Sequence, residues 1–351
     1  MKEKVNFEQL AAELDQIKHN TWNKVGQEDA DYIRKVIRYQ RYCEWSGRLL
    51  LVTVLVHPLL WLLGVLLLAI AKILDNMEIG HNVMHGQYDW MNDRYINSST
   101  YEWDIACDGE SWHRVHNYEH HTYTNIIGKD RDYGYGLLRL SDDFKWRVKN
   151  LWQFLTYLNL SLLFQWGVSY HELAAERVLF GKQKQGRESR VSRSRLVRRF
   201  ISKGGRQVVK DYVLFPVLAW PVFLWVLGGN LLANALRNIW TSTIIFCGHF
   251  TQEAETFSQQ ECEGETKGQW YYRQALGSSN ISGKPWFHLL SGHLSFQVEH
   301  HLFPYLPSSR YQEVAPQVQA VLKRHNIPYH SAGFWRQYTS VLRRILRYSL
   351  P

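Results

Sequence analysis

The sequence predicts an all-α integral membrane protein. Three observations carry that reading: long runs almost free of charge, a strongly basic stretch beside one of them, and histidines gathered in knots just outside the runs. Residues 49–74 read LLLVTVLVHPLLWLLGVLLLAIAKIL, with Lys72 the only charge. Residues 212–227 carry none, and residues 231–250 carry one Arg. A hydrocarbon core about 30 Å thick is crossed by about 20 apolar residues of helix. The 15 Trp and 20 Tyr suit side chains that settle at membrane interfaces.

The first run is long for one crossing and short for two. Pro58 interrupts it, and proline breaks or kinks a helix interior. We read it as a hairpin of short helices over residues 48–75, extended upstream toward Cys43. The alternative is a single crossing, which puts the N-terminus outside. Residues 212–227 and 231–250 form a second hairpin, with Gly228, Gly229 and Asn230 as its turn. About four transmembrane helices result. Residues 151–168 are apolar but broken by Gln153, Asn159 and Gln165, so they are expected to lie in the interface.

Residues 182–210 hold eleven Lys or Arg against one Glu, within a net charge of +9. Such a run beside a span marks the cytoplasmic side and draws anionic lipid headgroups, so nucleic acid is not expected as a partner. Its glycines and serines suggest a mobile loop. Residues 1–47 then form an N-terminal amphipathic cytoplasmic segment, with a helix over 7–18. Residues 48–301 form the membrane domain, and residues 302–351 a cytoplasmic helical tail. Cys43, Cys107, Cys247 and Cys262 show no paired spacing, so neither a disulfide framework nor a zinc ribbon is expected. The N-terminus does not read as a signal peptide.

The 16 histidines fall mostly into three knots: His81–His85, then His116, His120 and His121, then His300 and His301 with His293 upstream. Residues four apart on a helix share a face, so each pair can address one ion. All three knots lie just past membrane exits on one cytoplasmic face, and His249 ends the last span. The fold class is therefore four spans under a cytoplasmic helical cap that holds a histidine-rich di-metal centre. Imidazole donors suit iron better than calcium or magnesium, which want oxygen. Zinc accepts the same donors in a recombinant sample. A histidine-only site with room for dioxygen implies oxidation of an unactivated C–H bond.

GHNVMHGQYDW at residues 80–90, HNYEHHTYTNIIGKDRD at 116–132 and QVEHHLFPYLP at 297–307 resemble the three histidine boxes of the membrane fatty-acid desaturases, bacterial acyl type. The resemblance covers about residues 49–329. It implies two iron ions, dioxygen as co-substrate, an acyl tunnel, and a double bond made by removing two hydrogens. It assigns His81, His85, His116, His120, His121, His300 and His301 as ligands, with His249 as a further one. No catalytic side chain beyond the metal centre is implied. Gln297 stands where many relatives have histidine; either it binds through water or His293 fills the gap. Asp104, Glu119 and Glu299 are expected to orient ligating imidazoles. Trp103, Trp112 and Tyr123 are expected along the acyl channel or in the cap. Lys129 to Asp132 are read as meeting the substrate headgroup or water.

No haem, flavin or iron–sulfur motif is visible, so electrons are expected from a ferredoxin-like or other carrier with an NAD(P)H reductase. Residues 182–210 with Arg343, Arg344 and Arg347 offer that carrier a basic dock. The substrate is an acyl-CoA or acyl-lipid drawn from the bilayer of a bacterial inner membrane. Two rivals remain at this stage: a membrane di-iron hydroxylase of alkyl or sterol-like substrates, and a non-catalytic metal carrier.

Overall fold

The computed structural model describes residues 5–173 and 193–351. It is mostly helical. Among the described residues, one helix, Pro58–Met84, is long and apolar enough to cross a membrane.

The chain rises through Gln27–Leu51, turns in the short Val52–Leu55 helix, and returns along Pro58–Ile73. Pro58 starts the second helix instead of kinking it, since the first helical position needs no N–H. His57 caps that helix by accepting from the Leu59 N–H at 3.2 Å. The helices are longer than the short pair expected, because the first begins well upstream at Gln27. They cross where glycine faces glycine. A Cβ on Gly47 would stand 2.8 Å from the Leu68 nitrogen, and one on Gly64 would stand 2.9 Å from the Leu51 nitrogen. Backbone lies against backbone here, as small residues allow between apolar helices.

The second hairpin breaks earlier than expected. Helix Phe215–Leu218 ends, residues 219–222 turn, and one helix then runs Phe223–His249. Gly228, Gly229 and Asn230 lie inside that helix. Gly229 is there for packing: a Cβ would stand 2.5 Å from Leu51 Cδ2. Asn230 donates to the Asp211 backbone carbonyl at 2.7 Å. The lone charge of the first apolar run is also placed by this helix pair. Lys72, 3% exposed, meets Asp211 at 2.7 Å, and Asn234 donates to the same carboxylate.

The basic stretch is not a loop over its described part. Arg193–Val208 is a helix, continued by Val209–Leu214. Residues 182–192 lie outside the described residues. Residues 151–168 form two short helices, Gln153–Leu162 and Phe164–Glu172, with Trp152, Leu155, Leu158 and Leu163 exposed. Leu55, Val56, Leu59, Leu62, Leu218, Trp220 and Leu224 are also exposed, so the hairpin ends present an apolar surface to their surroundings.

The cap has a core of its own around the N-terminal helix, and its last helix packs back on Phe223–His249. Helix Phe7–Trp22 buries Leu10, Leu14 and Ile17 against Tyr271, Val314 and Val318. Tyr311–Arg324 and Phe334–Arg347 follow, and Ser331–Gly333 pairs in parallel with Asn280–Ser282. Arg344 is not part of a basic dock. It is buried, and donates to the carbonyls of Leu140, Thr251 and Ala254 and to the Tyr133 hydroxyl.

Candidate metal centre

Two knots are borne on π-helical turns. The helix from Pro58 widens into a π-helix over Leu74–His81, and His113–His120 is a second. A π-helix closes its hydrogen bonds at i→i+5, so residues four and five apart share one side. This brings His121 to the same side as His116 and His120, where an α-helix would have turned it away. Gly80 makes room for the first knot, since a Cβ there would stand 2.9 Å from Trp103 Cβ. The third knot rides on the short helix Gln297–Leu302, and His249 is the last residue of its long helix.

The eight histidines meet in two adjoining groups. His81, His85, His116 and His300 place ring nitrogens within 4.8 Å of one another; so do His120, His249 and His301. His121 joins the groups: its ring lies 4.6 Å from His85 and stacks on His301 at 4.5 Å. Gln297 sits at the second group, with Nε2 2.9 Å from His249 Nε2. His293 does not join either group; its Nδ1 meets Glu78 at 2.8 Å. Gln297 thus lies beside the second group, whereas His293 is turned toward Glu78.

Outer contacts fix the rings. His116 Nδ1 meets Asp132 at 3.1 Å, and His120 Nδ1 meets both oxygens of Asp130 at 3.1 Å. The Asn125 and Asp132 N–H groups donate to Asp130 in turn. His301 Nδ1 meets Gln274 Oε1 at 2.9 Å, and His300 Nδ1 meets the Tyr311 hydroxyl at 3.3 Å. Each bond leaves Nε2 to face inward, the usual arrangement around a bound metal.

Three expectations about these partners change. Asp130 and Asp132 are buried beneath the second knot and do not face a headgroup or water. Asp104 lies away from the histidines, paired with Lys210 and Lys72. Glu299 accepts from Asn280 and Tyr329, not from an imidazole. Asn280 also accepts the Val298 N–H, so Glu299 anchors the third-knot helix at one remove. Glu119 sits half-buried on the second knot, and the carboxylates that bond its rings are Asp130 and Asp132. Asp130, Asp132, Gln274 and Glu78 had only one signal in the sequence: two of them lie inside the quoted second box. His171, outside the three knots, supports His116 through Asp132, which it meets at 3.1 Å.

The donor set fits metal ions. Nε2 of His85 and His116, both ring nitrogens of His121, Nδ1 of His249 and Oε1 of Gln297 are buried without a hydrogen-bond partner among the described residues. A buried polar atom left so costs about 1–3 kcal/mol. His249 and His301 bring Nε2 atoms within 3.2 Å of each other, and a cation shared by their lone pairs satisfies both. Burial, then neighbouring rings, hold His85, His121, His300 and His301 well below the ordinary histidine pKa. Neutral rings keep the lone pairs that metal binding needs.

A narrow cavity of about 60 Å³ opens from His81, His116, His120 and His249. It follows one face of the long helix through Ile245 and Thr241 to Asn238. Eleven residues separate His249 from Asn238, about 16 Å at 1.5 Å per residue. Trp103 and Trp112 line it as expected. Tyr123 does not; Lys129 lies over its ring instead.

Comparison with known proteins agrees with this geometry. A family model described as fatty acid desaturase matches residues 57–333. The chain is similar to an NADPH-dependent stearoyl-CoA 9-desaturase of Mycobacterium tuberculosis, 45% identical over 350 residues, covering 99% of this chain and 81% of that one. It is also similar to an sn-1 linoleoyl-lipid 6-desaturase of Synechocystis, 26% identical over 280 residues, with 76% and 74% covered. An acyl-lipid (9-3)-desaturase of Borago officinalis matches at 38% over 90 residues, 25% of this chain and 20% of that one. The site's histidines and these matches lead to one assignment: the chain belongs to the fatty acid desaturase family and is an oxidoreductase of lipid metabolism.

Proposed function

We propose that the protein inserts a double bond into a saturated acyl chain carried on CoA, with two iron ions held by the eight histidines and Gln297. The buried ring nitrogens without partners carry this reading, since they gather at the head of an apolar cavity. The mycobacterial relative, named for stearoyl-CoA and NADPH, supports both the carrier and the source of electrons. When bound, iron supplies the power to activate dioxygen toward an unactivated C–H bond. The balance is one acyl chain, one dioxygen, two electrons and two protons, giving one alkene and two waters.

The protein's part is placement. Asp130, Asp132, Gln274 and Tyr311 orient the rings. The cavity walls hold two adjacent methylenes beside the histidines and exclude water. A separate carrier protein delivers the electrons.

We further propose four crossing helices. Gln27–Leu51 and Phe223–His249 have 25 and 27 residues, and Pro58–Met84 has 27. At 1.5 Å per residue each is about 40 Å long, enough to cross the core and reach into the cap. Residues 193–218 make the fourth. The first helix carries charges as far as Arg48 and the fourth as far as Asp211, so only the stretches beyond those residues enter the hydrocarbon core and the basic parts stay with the cap. The cap and the metal centre then face the cytoplasm, by the basic residues at 182–210. Expression in a bacterium unable to make the unsaturation, followed by mass spectrometry of its fatty acids, tests the activity. An unsaturated chain is expected; a hydroxylated chain, or none, overturns it.

A further inference from the structure

Two carboxylates line the cavity, Asp132 and Glu172. Asp132 is committed to His116 and His171. Glu172 is committed to nothing that ligation requires. It closes the helix Phe164–Glu172, is 2% exposed, and holds Oε2 buried without a hydrogen-bond partner among the described residues. Two guanidinium groups beside it bond the backbone of this helix. Arg114 donates to the Glu172 carbonyl oxygen at 2.9 Å, and Arg131 to that of His171 at 2.9 Å. Arg114 and His171 are themselves only half-buried, so this end of the cavity wall lies near the surface.

The reaction proposed above takes up two protons from outside for each double bond. The ligating rings are taken up otherwise: Nδ1 of His120, His116 and His301 is fixed on Asp130, Asp132 and Gln274, and the partnerless nitrogens of His85, His121 and His249 are the proposed metal donors. The rest of the wall offers aromatic and aliphatic side chains, amides and a threonine.

We propose that Glu172 carries protons from the cap surface into the acyl cavity. In each pass the carboxyl O–H breaks as an O–H bond forms on oxygen being reduced to water, directly or across one water molecule. The carboxylate left behind takes a proton from solvent on the Arg114 and Arg131 side. Two passes complete one double bond.

The surroundings suit a neutral acid that ionises only in passing. Burial raises the Glu172 pKa well above its ordinary value. The Asp132 charge raises it further, Arg131 and Arg114 oppose this, and Glu119 adds to it. Cys107 and Tyr135 face the same carboxyl, and both hold their protons because they are buried.

The inference rests on the dioxygen reading of the function, and its test separates the two. E172Q and E172D are purified beside the wild type, and iron content and helicity are measured first. Infrared difference spectra of the metal-free proteins are then compared at neutral pH. A buried protonated carboxyl band is expected in the wild type, shifted in deuterium oxide and absent from E172Q. With donor protein, NADPH and acyl-CoA, E172Q is expected to lose about 100-fold in desaturation, the usual size of a proton-transfer contribution. NADPH oxidation should then exceed product formation as oxygen leaves as peroxide. E172D should recover much of the rate with a shifted alkaline limb in its pH profile. Wild-type rate and pH profile in E172Q, or no band assignable to Glu172, overturns the proposal. If E172Q does not fold, a rate and pH profile in E172D identical to wild type overturns it equally. A wild type that makes no alkene from dioxygen and donor refutes the proposed function instead, whatever the spectra show.

Discussion

Replacing Asp130 by Asn removes one charge from beneath His120 and little volume. The Asp130 side chain is fully buried and meets His120 Nδ1 with both oxygens at 3.1 Å. A hydrogen bond to a charged group is worth about 1.5–3 kcal/mol, and a neutral one about 0.5–1.5. The difference is about 1–2 kcal/mol, and 1.36 kcal/mol is a factor of ten. D130N should therefore weaken metal binding about ten-fold. D130A also strands the Asn125 and Asp132 N–H groups. It should approach the roughly 100-fold upper end for lost outer partners of metal ligands. The assay is titration of metal-free protein with ferrous iron against a competing chelator, with zinc as a second probe. Circular dichroism confirms that the helices persist. If both variants hold metal as tightly as wild type while H120A does not, the claim that Asp130 orients His120 is wrong.

Alanine at His120 or His301 should empty at least one metal position and abolish turnover while the protein still inserts in the membrane; full activity in either variant refutes the ligand assignment. G64L drives a side chain into the Leu51 backbone, and should cost about 1–3 kcal/mol by overpacking, read as a lower thermal midpoint in detergent; an unchanged midpoint refutes the close crossing. R344A leaves the Leu140, Thr251 and Ala254 carbonyls without their donor, so it should lose stability, whereas R343A should not; equal behaviour of the two refutes the buried role of Arg344. Purified enzyme with acyl-CoA and dioxygen alone should not turn over beyond a trace. Adding a carrier, its reductase and NADPH should restore product, less so at high salt, because screening shortens steering to about 10 Å at 0.1 M. A cysteine at Ser192 should resist an impermeant label in intact cells; labelling from outside overturns the cytoplasmic assignment.

Histidine spacing was legible because ligands are sparse, polar and held close along the chain. His81 with His85, and His116 with His120, are each set by a single helical turn, the resemblance to the desaturase boxes added the others with His249, and the fold brings all eight rings together. The apolar runs were legible for a similar reason, since solvation acts on each residue of a run in the same direction. Only the tertiary structure decided the rest. Asp130 lies ten residues from His120 and Gln274 lies 27 from His301, so no local pattern marks them. Gly229 read as part of a turn, because glycine signals a turn and a close helix crossing alike; the Leu51 side chain chose between them. Arg344 read as surface charge, because burial depends on what packs above a residue. The π-turns that bring His121 beside His116 have no residue signature of their own. Gly80 lies close against Trp103 in the first, and Asp132 and Asp130 bond the rings of the second. Short-range geometry is set by the order of residues, while the partners that orient a ligand come from wherever the fold can supply a buried acceptor.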